Sequence, residues 1–189
     1  NKIPELNFQE IKTSEYIDEK LTSFSIEVHK NIANTGLVGI LKSNNNNSER
    51  NIAIRAEMDA LEFENGNKHA CGHDGHMAIV LGVAEYFSKN RNCFEGTIYF
   101  IFSPAEEDGA GCSEMMKNSF FNSLEIQEVY ALHNWPDLKV GQIGISEGAI
   151  MGGDNSFIIE IIGMGGHGAM PEQTINPNNY IGTVIEKLK

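Results

Sequence analysis

One eight-residue stretch concentrates side chains that could bind a metal or move protons. It reads His69-Ala70-Cys71-Gly72-His73-Asp74-Gly75-His76 and holds three imidazoles, one thiol and one carboxylate. Cys71 and His73 are two residues apart, so an extended segment would point both side chains the same way. A thiolate and an imidazole placed together are ligands that zinc and related metals accept. The stretch therefore predicts part of a metal site.

Further acidic and imidazole side chains follow segments that predict strands. Asp59 follows a strand predicted at 51–56, Glu106 and Glu107 follow one at 96–102, and His133 follows one at 128–132. Strands that alternate with helices predict a mostly parallel sheet, whose ligands gather beyond the carboxyl ends of the strands. Glu107 and His133 are therefore expected to complete a metal shell with Cys71 and His73.

The two adjacent glutamates suit metal-assisted hydrolysis. On an extended segment they point to opposite sides, so one can bind the metal while the other transfers a proton. Two other interpretations stay open for these residues: a hydrogen-bonded His/Cys cluster without metal, and a solvated Glu-Glu turn. The helical signature of zinc proteases and the paired cysteines of nucleotide deaminases are both absent from the sequence.

The pattern of apolar residues predicts an α/β fold in two parts. Residues 1–151 begin with a helix capped by Asn7 that runs to about residue 22, and a second helix spans Met77 to Phe87. Gly152-Gly153-Asp154 is interpreted as a hinge. A strand at 157–162 and a helix from 177 to the last residue then predict that 152–189 begins a smaller α+β domain.

Composition excludes several classes of partner. The net charge of −12 argues against binding nucleic acid or an anionic membrane surface. The 41% apolar and 21% charged residues are ordinary for a globular protein, and no apolar run is long enough to span a membrane. Three irregularly spaced cysteines fit a reducing compartment, so a cytoplasmic location is expected.

Five motifs, in this order along nearly the whole chain, resemble the amidohydrolase branch of the M20 metallopeptidases. They are Glu57-Met58-Asp59-Ala60-Leu61, His69 to His76, Pro104-Ala105-Glu106-Glu107, Leu132-His133-Asn134-Trp135-Pro136 and Gly165-Gly166-His167-Gly168-Ala169-Met170-Pro171. The branch includes hippurate hydrolases, N-acyl-amino-acid amidohydrolases and indole-acetyl-amino-acid hydrolases. The resemblance implies a zinc-peptidase-like catalytic domain in 1–151 and the start of a lid or dimerisation domain in 152–189.

The resemblance also assigns the metal site. Its metal ligands match Cys71, His73, Glu107 and His133, and Cys71 matches a ligand able to bridge two ions. Glu106 matches the general base that activates the attacking water and later protonates the leaving amine. One or two divalent ions are implied, with zinc favoured by the donor set and manganese, cobalt or nickel as chemical alternatives.

Other residues match supporting positions of the motifs. Asp59 matches a carboxylate that orients a ligand near the metal. His167 resembles a lid-domain histidine that helps to bind the substrate or the developing oxyanion, often in the partner subunit's site. Asp74 and His76 belong to the motif and are expected only to support the ligands. Glu62 departs from the pattern, since it stands where the family usually has proline.

The expected function is metal-dependent hydrolysis of the amide bond of N-acyl amino acids. N-acetyldiaminopimelate deacetylase and dipeptidase activities are alternatives within the family, and an inactive metal-binding or dimerisation fragment is the alternative of another class. The chain is expected to be the N-terminal part of a longer protein that adds one more metal-ligand histidine. A homodimer formed through the lid domain is expected for that full-length protein.

Overall fold

The computed structural model describes residues 1–45, 48, 50–153 and 157–188. It divides into two compact units, Asn1–Lys139 and Val140–Lys189. The domain boundary predicted at 151–152 falls within the second unit, and the assignment of a catalytic and a lid domain stays a prediction. Of the predicted hinge, Asp154 lies outside the described residues. No helix in the described part of the chain is both long and apolar enough to cross a membrane.

A five-stranded sheet forms the centre of the first unit. Its strands are β1 (Glu27–Ile32), β2 (Gly36–Lys42), β3 (Asn51–Glu57), β4 (Thr97–Ser103) and β5 (Glu128–Ala131). They lie in the order β1-β2-β4-β3-β5, with β2 antiparallel to both neighbours and β3 parallel to both β4 and β5. Because only β2 runs against the others, the predicted mostly parallel α/β sheet is confirmed.

Helices cover both faces of this sheet. Helices α1 (Ile11–Ser23) and α2 (His73–Lys89) contribute to one apolar core, and α3 (Gly111–Met115) and α4 (Ser119–Asn122) lie on the other side. β4 supplies Ile98, Phe100 and Phe102 to the first core and Tyr99 and Ile101 to the second. This alternation follows from the two-residue period of a strand and explains why β4 reads as a continuous apolar run.

The first helix begins later than the sequence predicts. Asn7 is followed by Phe8 at φ 57°, and the helix starts only at Ile11. Two of the free N–H groups of its first turn are satisfied by Glu5, whose carboxylate accepts hydrogen bonds from Lys12 N at 3.2 Å and Thr13 N at 2.9 Å. The predicted cap at Asn7 is therefore wrong, because an acidic side chain from the preceding segment takes that role.

The second unit contains less regular structure. Its helix α5 (Asn178–Lys187) agrees with the prediction, while Lys189 lies outside the described residues. The predicted strand at 157–162 is wrong: these residues are in no strand, and Phe157 and Ile158 are exposed. A strand needs a hydrogen-bonded partner, and the described part of this unit offers only an isolated bridge between Met164 and Ile175.

Gly111 is expected to be intolerant of a side chain. A Cβ there would lie 1.6 Å from the carbonyl oxygen of Pro104, a backbone atom that cannot swing aside. We expect Gly111→Ala to lower the free energy of unfolding by about 1–3 kcal/mol, the usual range for overpacking. Gly82→Ala is the matched control, since Gly82 lies in α2 with nothing within 4 Å of the added atom. Urea unfolding should show the control unchanged or up to about 1 kcal/mol more stable, and equal losses in both would contradict the prediction.

Candidate metal centre

Three neighbouring parallel strands end at one edge of the sheet. Asp59 follows β3, Glu106 and Glu107 follow β4, and His133 follows β5. The backbone N–H of Glu107 donates to Oδ2 of Asp59 at 2.9 Å, which joins the first two strand ends. The structure thus brings these residues to one place, as the strand ends predict.

The segment that carries Cys71 and His73 is a tight turn into a helix. Gly72 has φ +93° and is the N-cap residue of α2, so His73 is the first residue of that helix. A Cβ on Gly72 would lie 2.3 Å from Oδ1 of Asn134, so the close packing also requires glycine. The predicted extended geometry is therefore wrong. The ligand atoms of Cys71, His73 and His133 nevertheless lie within 4.8 Å of one another, with Cys71 Sγ 3.4 Å from His133 Nε2.

His73 presents one ring nitrogen to the space between the two glutamates. Its side chain is 1% exposed, and Nδ1 lies 3.0 Å from the backbone oxygen of Asp59 and 3.2 Å from its Oδ1. We assign the proton to Nδ1 from these contacts, which leaves a lone pair on Nε2. Nε2 is buried without a hydrogen-bond partner, 3.5 Å from Glu106 Oε2 and 3.8 Å from Glu107 Oε1.

Glu106 and Glu107 form part of a turn rather than an extended segment. Ala105 has φ +47°, and the N–H of Gly109 donates to the carbonyl of Glu106. The prediction that the two side chains point to opposite sides is therefore wrong, because the turn brings both carboxylates close to His73. They differ in burial: the Glu107 side chain is 22% exposed and the Glu106 side chain 41%. Glu107 Oε1 is buried without a hydrogen-bond partner.

These residues fit a divalent metal. His73 Nε2 and Glu107 Oε1 are buried polar atoms without partners, which is unfavourable unless something else binds them. Donors around a tetrahedral zinc ion lie about 3.5 Å apart, given metal–ligand distances of about 2.0–2.3 Å. The observed separations of 3.4 Å for Cys71–His133 and 3.8 Å for His73–Glu107 are close to that spacing. Thiolate, imidazole and carboxylate together are a donor set suited to zinc.

Electrostatics at the site favour a cation. Burial would raise the pKa of Asp59, but hydrogen bonds from His73 and from backbone N–H groups hold that pKa below its ordinary value. Burial would lower the pKa of His73, yet contact with Asp59 raises it overall. Burial raises the pKa of Glu106; the neighbouring charge of His73 lowers it and the nearby carboxylates raise it, so that the pKa stays above its ordinary value. Burial and then Glu107 raise the pKa of the Cys71 thiol to about 11. This accumulation of negative charge is what a bound dication would relieve.

The family relationship follows from comparison with known proteins. The model of the family described as "Peptidase family M20/M25/M40" matches residues 53–186, a range that includes all the candidate metal-site residues described above. The chain belongs to this family.

Two curated relatives illustrate the M20 relationship. The chain is 39% identical to N-acyl-L-amino acid amidohydrolase of Geobacillus stearothermophilus, over 98% of this chain and 52% of that protein. It is 36% identical to hippurate hydrolase of Campylobacter jejuni, over 92% of this chain and 47% of that protein. The chain therefore spans about half the length of the curated relatives it matches.

A solved M20 structure is also similar. The YXEP protein of Bacillus subtilis, described as a dinuclear metal-binding peptidase, superimposes with a TM-score of 0.70 at 36% identity. The match covers 77% of this chain and 43% of the other. The α/β fold and the membership of a family that includes metal-binding hydrolases are thus both supported for this M20 chain.

Two further buried residues, Glu57 and His76, form a second layer of polar contacts next to the candidate metal ligands. His76 Nδ1 lies 3.1 Å from Glu57 Oε2, and Arg55 Nη1 lies 2.9 Å from Glu57 Oε1. The backbone N–H of Asn134 donates to His76 Nε2 at 3.1 Å. Glu57, His73 and His76 are close enough to hold a metal, but both ring nitrogens of His76 are already engaged. We therefore interpret His76 as a support, through Asn134, for the loop that carries His133.

Only part of this second layer could be predicted from the sequence. Glu57 directly ends β3 and could have been singled out by the rule that applied to Asp59. The contact of His76 with Asn134 joins residues 58 positions apart, and no local pattern signals it. Asp74, expected in a supporting role, lies in the first turn of α2 and is in none of the candidate metal groups found among the described residues.

His167 lies in the second unit, Val140–Lys189. It is exposed, and its Nδ1 accepts a hydrogen bond from Ala169 N at 3.2 Å within a glycine-rich turn. Its predicted part in substrate binding stays a prediction.

Proposed function

We propose that the full-length protein is a metal-dependent amidohydrolase that releases the amino acid from N-acyl amino acids. One observation carries the proposal: His73 Nε2 and Glu107 Oε1 are buried, unpartnered and aimed into the same space, with the Glu106 carboxylate beside them. The relatives named N-acyl-L-amino acid amidohydrolase and hippurate hydrolase support the substrate class.

Four residues of this chain would hold the metal: Cys71, His73, Glu107 and His133. A divalent metal bound there supplies a Lewis acid that polarises the amide carbonyl and lowers the pKa of a water molecule. We propose zinc, since the site offers a thiol, imidazoles and a carboxylate. One or two ions are compatible with the proposal, because His73 is shared by the Cys71–His133 group and by the Glu106–Glu107 group.

Glu106 is proposed as the group that moves the proton. Its carboxylate is more exposed than that of Glu107, so an attacking water can reach it. Its pKa is raised, chiefly by burial, which brings the carboxylate closer to the proton affinity that a general base needs. It would accept the proton of the water and then pass it to the nitrogen of the leaving amino acid. Asp59 would keep the Nδ1 proton of His73 in place, so that Nε2 faces the metal.

The proposal extends to partners and location. His167 is proposed to contact the substrate or its oxyanion, within a second unit that acts as lid and dimerisation domain. The homodimer and the cytoplasmic location belong to the proposal as well. The three cysteines Cys71, Cys93 and Cys112 are free, which supports a reducing compartment.

The decisive experiment measures metal content and amino-acid release by the full-length protein. We expect at least one equivalent of bound divalent metal, and release of free amino acid from N-acetyl or N-benzoyl amino acids. A chelator should abolish the release, and zinc or manganese should restore it. Release only from N-acetyldiaminopimelate, or only from dipeptides, would move the assignment to those activities. Bound metal without hydrolysis of any of these substrates would contradict an enzymatic role.

A further inference from the structure

A buried carboxylate outside the metal cluster contacts the loop that carries both glutamates. Glu10, at the start of α1, is 0% exposed. Its Oε1 accepts a hydrogen bond from the backbone N–H of Ala105 at 2.9 Å, and its Oε2 accepts one from Thr35 Oγ1 at 2.5 Å. Ala105 lies 95 residues away and directly precedes Glu106.

The backbone that Glu10 holds is in an unusual conformation. Ala105 is fully buried with φ +47°, in the left-handed region that an alanine rarely adopts. Its carbonyl accepts a hydrogen bond from Gly111 N at 3.0 Å, and Glu107 N is held by Asp59. Among these contacts, Glu10 provides the fixed point on the N–H side of Ala105.

This position determines where the two following side chains point. Rotating the peptide before Ala105 would swing Glu106 and Glu107 away from His73, since both carboxylates approach Nε2 from the same turn. The other oxygen of Glu10 is anchored by Thr35, which is itself buried in the turn between β1 and β2. Glu10 therefore links the turn at Ala105 to the turn between β1 and β2, which the pairing of these two strands holds in place.

We propose that Glu10 is a positioning residue: its buried carboxylate holds the left-handed turn at Ala105 and thereby aims Glu106 and Glu107 at the site. Its action on catalysis rests on the proposed function, while its action on the turn does not. Burial raises the pKa of Glu10, with hydrogen bonds from Thr35 and Ala105 acting in the opposite direction. Because Glu10 accepts hydrogen bonds from Ala105 and Thr35 at once, the role requires the reach of the side chain and an accepting oxygen.

Two conservative substitutions separate reach from charge. Glu10→Gln keeps the length and an accepting oxygen for Ala105, and its amide can donate to Thr35. Glu10→Asp keeps the charge but is shorter by one methylene, about 1.5 Å, and cannot span Ala105 and Thr35 together. Leu21→Ala is the matched control: Leu21, in α1, is 0% exposed like Glu10, but its side chain belongs to the apolar core and has no atom that can accept a hydrogen bond.

The variants are compared in the full-length protein, well below their unfolding temperatures. For Glu10→Asp we expect kcat for an N-acyl amino acid to fall about 10- to 100-fold with a smaller change in KM, as for a small misplacement of catalytic groups. Glu10→Gln should stay within about threefold of wild type, because the accepting oxygen remains. Leu21→Ala should lose stability while keeping kcat.

Hydrogen exchange on the metal-free protein gives a second readout that does not need activity. The Ala105 amide should exchange at least about tenfold faster in Glu10→Asp than in Glu10→Gln or Leu21→Ala, measured on a peptide covering 104–107. Equal exchange and equal kcat in Glu10→Asp and Leu21→Ala would overturn the proposal, and so would equal losses in the Asp and Gln variants. If the wild-type protein hydrolyses no substrate, the proposed function fails, while the exchange comparison still decides the role of Glu10.

Discussion

Glu106→Gln in the full-length protein is expected to lower kcat for N-acyl amino acids by about 10²- to 10⁴-fold, the usual contribution of a general base. Glutamine has nearly the same shape but cannot take the proton of the attacking water. The bound metal should stay, because the proposed ligand is Glu107, whose Oε1 is buried without a partner, and Glu107 is unchanged in this variant. Steady-state kinetics and metal analysis of the same preparation would test both statements.

The control for Glu106→Gln lies two residues further on. Asp108→Asn makes the same change of charge in the same turn, at an exposed side chain outside the candidate metal groups of the described residues. Its kcat should remain within about threefold of wild type, as usual for surface substitutions. If Glu106→Gln were as active as Asp108→Asn with metal still bound, Glu106 would not be the base.

The convergence of the site residues could be predicted because it depends on simple regularities. Apolar runs of strand length alternating with helices predict a parallel sheet, and the carboxyl ends of parallel strands share one edge. That rule alone placed Asp59, Glu107 and His133 together. It uses only the order of strand and ligand along the chain, so errors of a few residues at the ends of elements do not affect it.

The local geometry could not be predicted because distant contacts determine it. Cys71 and His73 look like alternate residues of an extended segment, but Gly72 adopts a left-handed conformation packed against Asn134. Glu106 and Glu107 look like the end of a strand, but Glu10 and Asp59 hold them in a turn. In both cases the partner lies more than 40 positions away, where no periodicity or turn rule operates.

The second unit shows a related limit. The run at 157–162 has the apolar composition of a buried strand, yet it forms none, because a strand is defined by its neighbours. The apolar composition of the segment indicates that it is suited to burial. In the described part of this unit, however, no neighbouring element covers Phe157 and Ile158, which are exposed. An amphipathic helix such as α5 satisfies its own backbone hydrogen bonds, and it was correctly predicted for that reason.

Cys71→Ser is expected to lower the affinity for zinc by at least about 10²-fold, since even the loss of a residue that only supports a ligand costs 10- to 100-fold. Serine is nearly isosteric, but its hydroxyl is a much weaker ligand than a thiolate at neutral pH. Cys71 Sγ lies 3.4 Å from His133 Nε2, so the substitution should also weaken metal binding by His133, which belongs to the same group of ligands. Titration of the metal-free, full-length protein against a competing chelator would measure the loss.

The chain provides its own control for Cys71→Ser. Cys93 is a free, exposed cysteine outside the candidate metal groups of the described residues, so Cys93→Ser should leave the affinity unchanged. Cobalt substitution adds a spectroscopic readout: a thiolate-to-cobalt charge-transfer band should be present in wild type and Cys93→Ser and absent in Cys71→Ser. A band that persisted in Cys71→Ser would show that another thiol binds the metal. An unchanged affinity would instead place the metal on His73 and the glutamates alone, since these form a group without the thiol.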